Sequence, residues 1–148
     1  MRGQISTELL VIVGLVLVVF IPLLAMVYMK AGEAQNEMAA YQAQLVVFRL
    51  AYLANSVGSL GTDTTVYTDI YIPKNTMLLT ARNVGSRGSE IQLRMQTDQG
   101  ESELVEVVKY PLTADAELAR APSYGWARFK ITSVYEGGTG KIRIERVK

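Results

Sequence analysis

The sequence predicts an α+β chain: a long N-terminal hydrophobic helix packed on a C-terminal antiparallel, β-sandwich-like head. Two observations carry this expectation. Residues 9–29 form a run of about 21 uncharged, mostly apolar residues, long enough to cross hydrocarbon as a helix. Beyond residue 61, short segments alternate apolar and polar residues between Gly, Pro and Asn, the pattern of half-buried strands joined by turns.

The helix is expected over residues 4–57, with 4–30 as the membrane-length part and 31–57 as an amphipathic stalk. Only Pro22 and Gly14 oppose helix before Gly32. Ser6 or Thr7 can cap its start, which sets Glu8 in the first turn, where the positive dipole end favours a carboxylate by roughly 0.3–1 kcal/mol. Pro22 removes one backbone hydrogen bond, which membrane helices tolerate when neighbours satisfy the freed carbonyl. Unbroken, about 50 residues make a rod of about 75 Å, far longer than a bilayer needs. In the stalk, Met38, Tyr41, Leu45, Phe48 and Tyr52 follow three- and four-residue steps, and this stripe is expected to pack on the head.

Gly58-Ser59-Leu60-Gly61 ends the helix, and the head occupies residues 62–148. About six strands are expected. Val66, Ile70 and Ile72 mark one, with Met77 to Arg82 as its partner. Ile91, Leu93 and Met95 mark another, and Leu104 to Tyr110 is a more continuously apolar one. Ala127, Phe129 and Ile131, then Ile142 and Ile144, complete the set by strict alternation with polar neighbours. Thr97-Asp98-Gln99-Gly100 and Glu136-Gly137-Gly138-Thr139-Gly140 are hairpin turns, while Pro73, Asn83 to Ser89 and Ala121 to Gly125 are longer connections. A head of about 87 residues buries little over half of its unfolded surface, so the helix is expected to complete its core.

Composition narrows the function. The chain has 148 residues, net charge +1, no cysteine and no histidine. Disulfides, thiolate nucleophiles, histidine acid/base chemistry and nearly all zinc sites are thereby excluded, and no spacing supports carboxylate, Lys/Tyr or Ser/Lys catalysis. Neither enzyme nor cofactor protein is expected. Basic residues are interspersed with acids, so nucleic acid is not an expected partner. The apolar run exceeds the 7–15 residues of a cleavable secretory signal and ends in Tyr28-Met29-Lys30, without a small-residue cleavage site.

Arg2-Gly3-Gln4-Ile5-Ser6-Thr7-Glu8-Leu9 resembles the class III signal peptide of archaeal type IV pilin-like proteins. There a short basic leader precedes a Q-x-S-x-E pattern and then a hydrophobic helix. Gln4, Ser6 and Glu8 match that pattern, and the match covers roughly the first thirty residues. The resemblance implies a leader of residues 1–3, cut by a membrane prepilin peptidase between Gly3 and Gln4. It also implies pairing of Glu8 with the new α-amine of Gln4 during assembly. A carboxylate among apolar helices is costly unless a positive group meets it, so the first-turn and assembly readings of Glu8 both stand. Further implications are a homopolymeric filament, an assembly ATPase, a membrane platform protein, and adhesion or surface attachment as the role. The precursor would sit in the cytoplasmic membrane and the mature form in an extracellular filament.

Other signals have plainer readings. Gly138-Thr139-Gly140-Lys141 lacks the first glycine of a phosphate-binding loop and opens a strand instead of a helix. Asp98, Glu101, Glu103 and Glu106 do not follow an EF-hand spacing and are expected to solvate a turn and strand edge. Tyr67 and Tyr71 are expected to pack on the helix, and Tyr124 and Trp126 to be buried, although either pair suits a ligand, glycan or subunit contact. No Asn-x-Ser/Thr acceptor occurs. The expected protein is a filament subunit; the alternatives are a minor pilin or pseudopilin of a related machine, and a single-span anchor carrying a non-polymerising binding domain.

Overall fold

The computed structural model describes residues 2–85 and 88–147, with side chains described from Thr7 onward. Among the described residues one helix, α1 (Arg2–Leu60), is followed by seven strands: β1 (Thr65–Ile72), β2 (Thr76–Val84), β3 (Gly88–Thr97), β4 (Gly100–Val108), β5 (Ala116–Arg120), β6 (Gly125–Glu136) and β7 (Thr139–Val147). A long apolar N-terminal helix packed on antiparallel sheets is the α+β arrangement expected. The chain divides into two compact units, Met1–Glu37 and Met38–Lys148.

The first unit is helix alone. It continues through Pro22, and its large apolar side chains from Leu9 to Met29 are all exposed. α1 is long and apolar enough to cross a membrane. Charge returns just after this stretch, where Lys30 Nζ meets Glu33 Oε2 at 2.6 Å.

In the second unit the strands form a three-stranded sheet, β1-β6-β7, and a four-stranded sheet, β4-β3-β2-β5. All pairings within the sheets are antiparallel. Alternation sends Ile70, Ile72, Phe129, Ile131, Ile142 and Ile144 of one sheet and Leu79, Ala81, Ile91, Leu93 and Met95 of the other into one core. On one side the sheets are tied by the segment after β4: Thr113 N donates to Ile142 O and Ile142 N to Pro111 O, both at 2.9 Å. Asn83 clamps the same segment, accepting from Leu112 N at 2.7 Å and donating to Leu112 O at 3.2 Å.

The helix fills the remaining gap in this core. Ala43, Val46, Val47, Leu50, Ala51, Ala54 and Val57 recur at helical spacing and are all buried in the same cluster as the strand side chains. Three of the seven are alanines. Lys109 N donates to Asn55 Oδ1 at 2.8 Å, and a side chain at Gly58 would run into the ring of Tyr110. Tyr110 O in turn accepts from Ser89 Oγ at 2.7 Å. The helix stops at Leu60 because Gly61 takes φ +98°, a left-handed conformation that closes helices at little cost only for glycine.

Four expectations are corrected. Met38, Tyr41, Leu45, Phe48 and Tyr52 do not pack on the head: each is more than half exposed. The gap between the sheets accepts alanine and aliphatic side chains, and the aromatic stripe lies on the opposite side of the helix. Met77 to Arg82 is not the partner of β1. β1 pairs with β6, and β2 pairs with β3 and β5. Pro73 begins a turn, closed by Thr76 N donating to Pro73 O at 3.1 Å, that carries the chain across to the other sheet.

Strand β5 was not expected, because its two buried residues, Leu118 and Ala119, are adjacent in sequence and break the alternating signal. A register irregularity between Leu79 and Thr80 in its pairing with β2 accommodates them. The Asn83 to Ser89 stretch is mostly strand, since β2 runs to Val84 and β3 starts at Gly88. Ser86 and Arg87 lie outside the described residues.

Leu50 is fully buried, whereas Phe48 is 56% exposed. Leu50→Ala is expected to destabilise the head by about 2–5 kcal/mol, and Phe48→Ala by under about 1 kcal/mol, in denaturant melts of the detergent-solubilised chain. Equal losses for the two variants would show that the buried face has been misassigned. Gly58→Ala is expected to lower the melting temperature through its clash with Tyr110.

Candidate functional site

Two surfaces merit attention: the start of α1 and the exposed side of its second half. Gly3, Gln4 and Ser6 lie on the first turns of the helix, and their side chains lie outside the described residues. Because α1 begins at Arg2, Ser6 and Thr7 are inside the helix and its first turn holds no acidic residue. This corrects the expected cap. Glu8 is exposed and lies beyond the turn where a helix dipole rewards a carboxylate. Gln4 and Glu8 are four residues apart, hence on one helix face.

The outward stripe has a stricter order than amphipathicity requires. Met38, Tyr41, Leu45, Phe48 and Tyr52 recur at steps of 3, 4, 3 and 4, the heptad spacing of helix-to-helix seams. Phe48 and Tyr52 stack at 6.4 Å between ring centroids, 18° from parallel. Upstream the same register passes through Ala34, Ala31, Val27 and Leu24. Within residues 9–29 almost any register is apolar, so residues 31–52 are what define the seam. The sequence carries this spacing, which fits a seam to another helix as well as the packing on the head expected from it.

The remaining sequence signals fall where the sheets place them. Glu101 and Glu103 point to one face of β4 and Glu106 to the other, so the acidic group is not gathered. No group of three His, Cys, Asp or Glu able to hold a metal occurs among the described residues. Gly137 and Gly138 adopt φ +64° and +81° in the β6–β7 hairpin, with Tyr135 Oη donating to Gly138 O at 3.0 Å. That loop is a turn.

Tyr67, Tyr124 and Trp126 are exposed instead of buried, and Tyr71 is half-buried. The opposite, inward side of β1 is filled by Thr68, Ile70 and Ile72, which leaves the aromatic side facing out. Comparison with protein-family models, curated proteins and solved structures finds no match to this chain.

On the same outward face, Arg128 grips Asp69 through two bonds, Nε to Oδ1 at 2.8 Å and Nη2 to Oδ2 at 3.0 Å. These hydrogen bonds hold the Asp69 carboxyl below the usual carboxylate range, helped by the charges of Arg128 and Arg49. A lowered folded-state value means the pair stabilises the fold above the ordinary carboxylate pKa and loses that contribution as pH falls through the lowered one. In an NMR titration, Arg128→Gln should raise the Asp69 midpoint toward its ordinary value. An unchanged midpoint would remove Arg128 as the cause.

Proposed function

We propose that the chain is a polymer-forming membrane protein, and specifically the structural subunit of an archaeal type IV pilus-like surface filament. The single observation that carries this reading is the uncovered heptad stripe on the head's own helix. A bilayer covers about 20 helical residues, and Met38 to Tyr52 lie beyond that reach. Five large apolar side chains on one face need a proteinaceous cover. A second α1 helix offers the matching 3-4 pattern.

In this reading a prepilin peptidase cuts between Gly3 and Gln4, leaving the apolar helix in the mature subunit. The new α-amine of Gln4 then meets the Glu8 carboxylate, within one chain or between two, and the pair sets the axial step. Helix packing forms the filament core and the β head its exterior. An assembly ATPase and a membrane platform protein drive addition of subunits at the base, and adhesion or surface attachment follows from an exposed head.

N-terminal analysis of the mature protein should begin at Gln4, and electron microscopy of tagged cells should place the chain along filaments. An uncut chain that remains monomeric in the envelope would sink the reading in favour of a single-span anchor. Phe48→Glu should leave the head's melt nearly unchanged yet lower filament yield by at least about tenfold, since even 1.4 kcal/mol lost per contact is tenfold in association. Glu8→Gln should permit insertion and cleavage but impair polymerisation.

A further inference from the structure

A groove of about 420 Å³ runs between the second half of α1 and the β1–β6 pair, within the head unit. Its volume lies in the range of small-ligand sites and suits one or two sugar rings. Val46 and Ile70, both 3% exposed, form part of its apolar floor. Gln42, Arg49 and Leu45 from the helix, and Tyr71 and Trp126 from the sheet, line it as well, Leu45 being the point where the groove borders the outward stripe.

Trp126 is 73% exposed, a large cost in uncovered aromatic surface unless that surface has a use. Its ring has an aromatic neighbour. Tyr71 lies directly across the strand pair from it, and the two rings meet edge-to-face at 5.7 Å and 71°. An outward aromatic face is electron-rich, and the C–H faces of pyranose rings carry the complementary positive edge. The same outward face continues to Tyr124, over whose ring Lys74 Nζ sits at 5.8 Å.

Charge selects among sugars. Asp69 is already held by Arg128 through both of its oxygens. Arg49 is close enough for its charge to act on Asp69, yet it makes no hydrogen bond or ion pair with another described residue. Its planar fork is therefore open to a carboxylate. Arg49 is the one charged side chain among the groove's described lining residues, and the nearby Asp69 is neutralised by Arg128, so the groove carries a positive charge.

We propose that this groove binds an acidic saccharide, with a pyranose face stacked on Trp126 and a uronate carboxylate on the Arg49 guanidinium. Gln42 supplies a further amide for ring hydroxyls. This goes beyond the filament reading and does not depend on it, because the groove is complete within one head.

Trp126 is the chain's only tryptophan, so its emission reports on the site directly. Titrating the detergent-solubilised full-length monomer with tetragalacturonate should shift or quench that emission saturably. Arg49→Gln should weaken binding by about tenfold, in line with the loss of one charge-assisted contact. Trp126→Ala should abolish the heat of binding in calorimetry, with the thermal melt of each variant near wild type.

Three results would overturn the proposal: no saturable response from the wild-type chain, an equal response to neutral cellotetraose, or an equal response to a single-stranded oligothymidylate. The last would mark a general stacking surface for polyanions. Because the monomer is tested, none of these outcomes bears on whether the chain is cut or polymerises.

Discussion

The head depends on one contact: the insertion of the Ala43 to Val57 face of α1 between two sheets that are tied to each other elsewhere. Seven strands over so short a chain leave a core that is open where β1 and β4 are edge strands. An open core of this size would be marginal. The helix closes it with alanine and aliphatic side chains, and Asn55 and Gly58 fix its end against Lys109 and Tyr110. Stability of the head and position of the helix are thus a single property.

That constraint divides the helix into two apolar faces with different uses. Small and aliphatic residues enter the head, while Met38, Tyr41, Leu45, Phe48 and Tyr52 stay on the other side. A helix serving only to complete a domain has no use for the second face, and five exposed apolar side chains in heptad order are a solubility liability. Retaining them makes sense if another helix covers them. The membrane-length part presents the same demand in simpler form, since lipid or protein must surround it.

Much of the architecture was legible in the sequence because its signals were periodic. The apolar run set the helix, strict alternation in β3, β6 and β7 set their inward faces, and glycine-rich turns set two hairpins. What misled was the period. Helical spacing marks the Phe48 and Tyr52 stripe as well as the Ala51 and Ala54 face, so spacing alone does not say which of them meets the sheets; tertiary packing decides it, and it buries the alanine and aliphatic face. β5 escaped because adjacent Leu118 and Ala119 break the alternation, and the pairing of β1 escaped because a three-residue link reads as a hairpin whether or not it crosses to another sheet. At the helix start, Glu8 was visible as a residue, but its place beyond the first turn was not.

The two faces also differ in what their burial is worth. If Leu9 to Met29 pass from lipid into a bundle of like helices, one apolar setting is exchanged for another and little hydrophobic free energy is gained there. The stripe from Met38 to Tyr52 is exposed, and where water surrounds it, covering it removes apolar surface from water at roughly 25 cal/mol per Å². If copies of this chain associate through α1, the driving force therefore resides chiefly in the part of the helix that the head presents, and the membrane-length part contributes fit and register. A charge placed at Phe48 and one placed at Phe20 are consequently not equivalent perturbations: the first acts on association, the second on insertion as well.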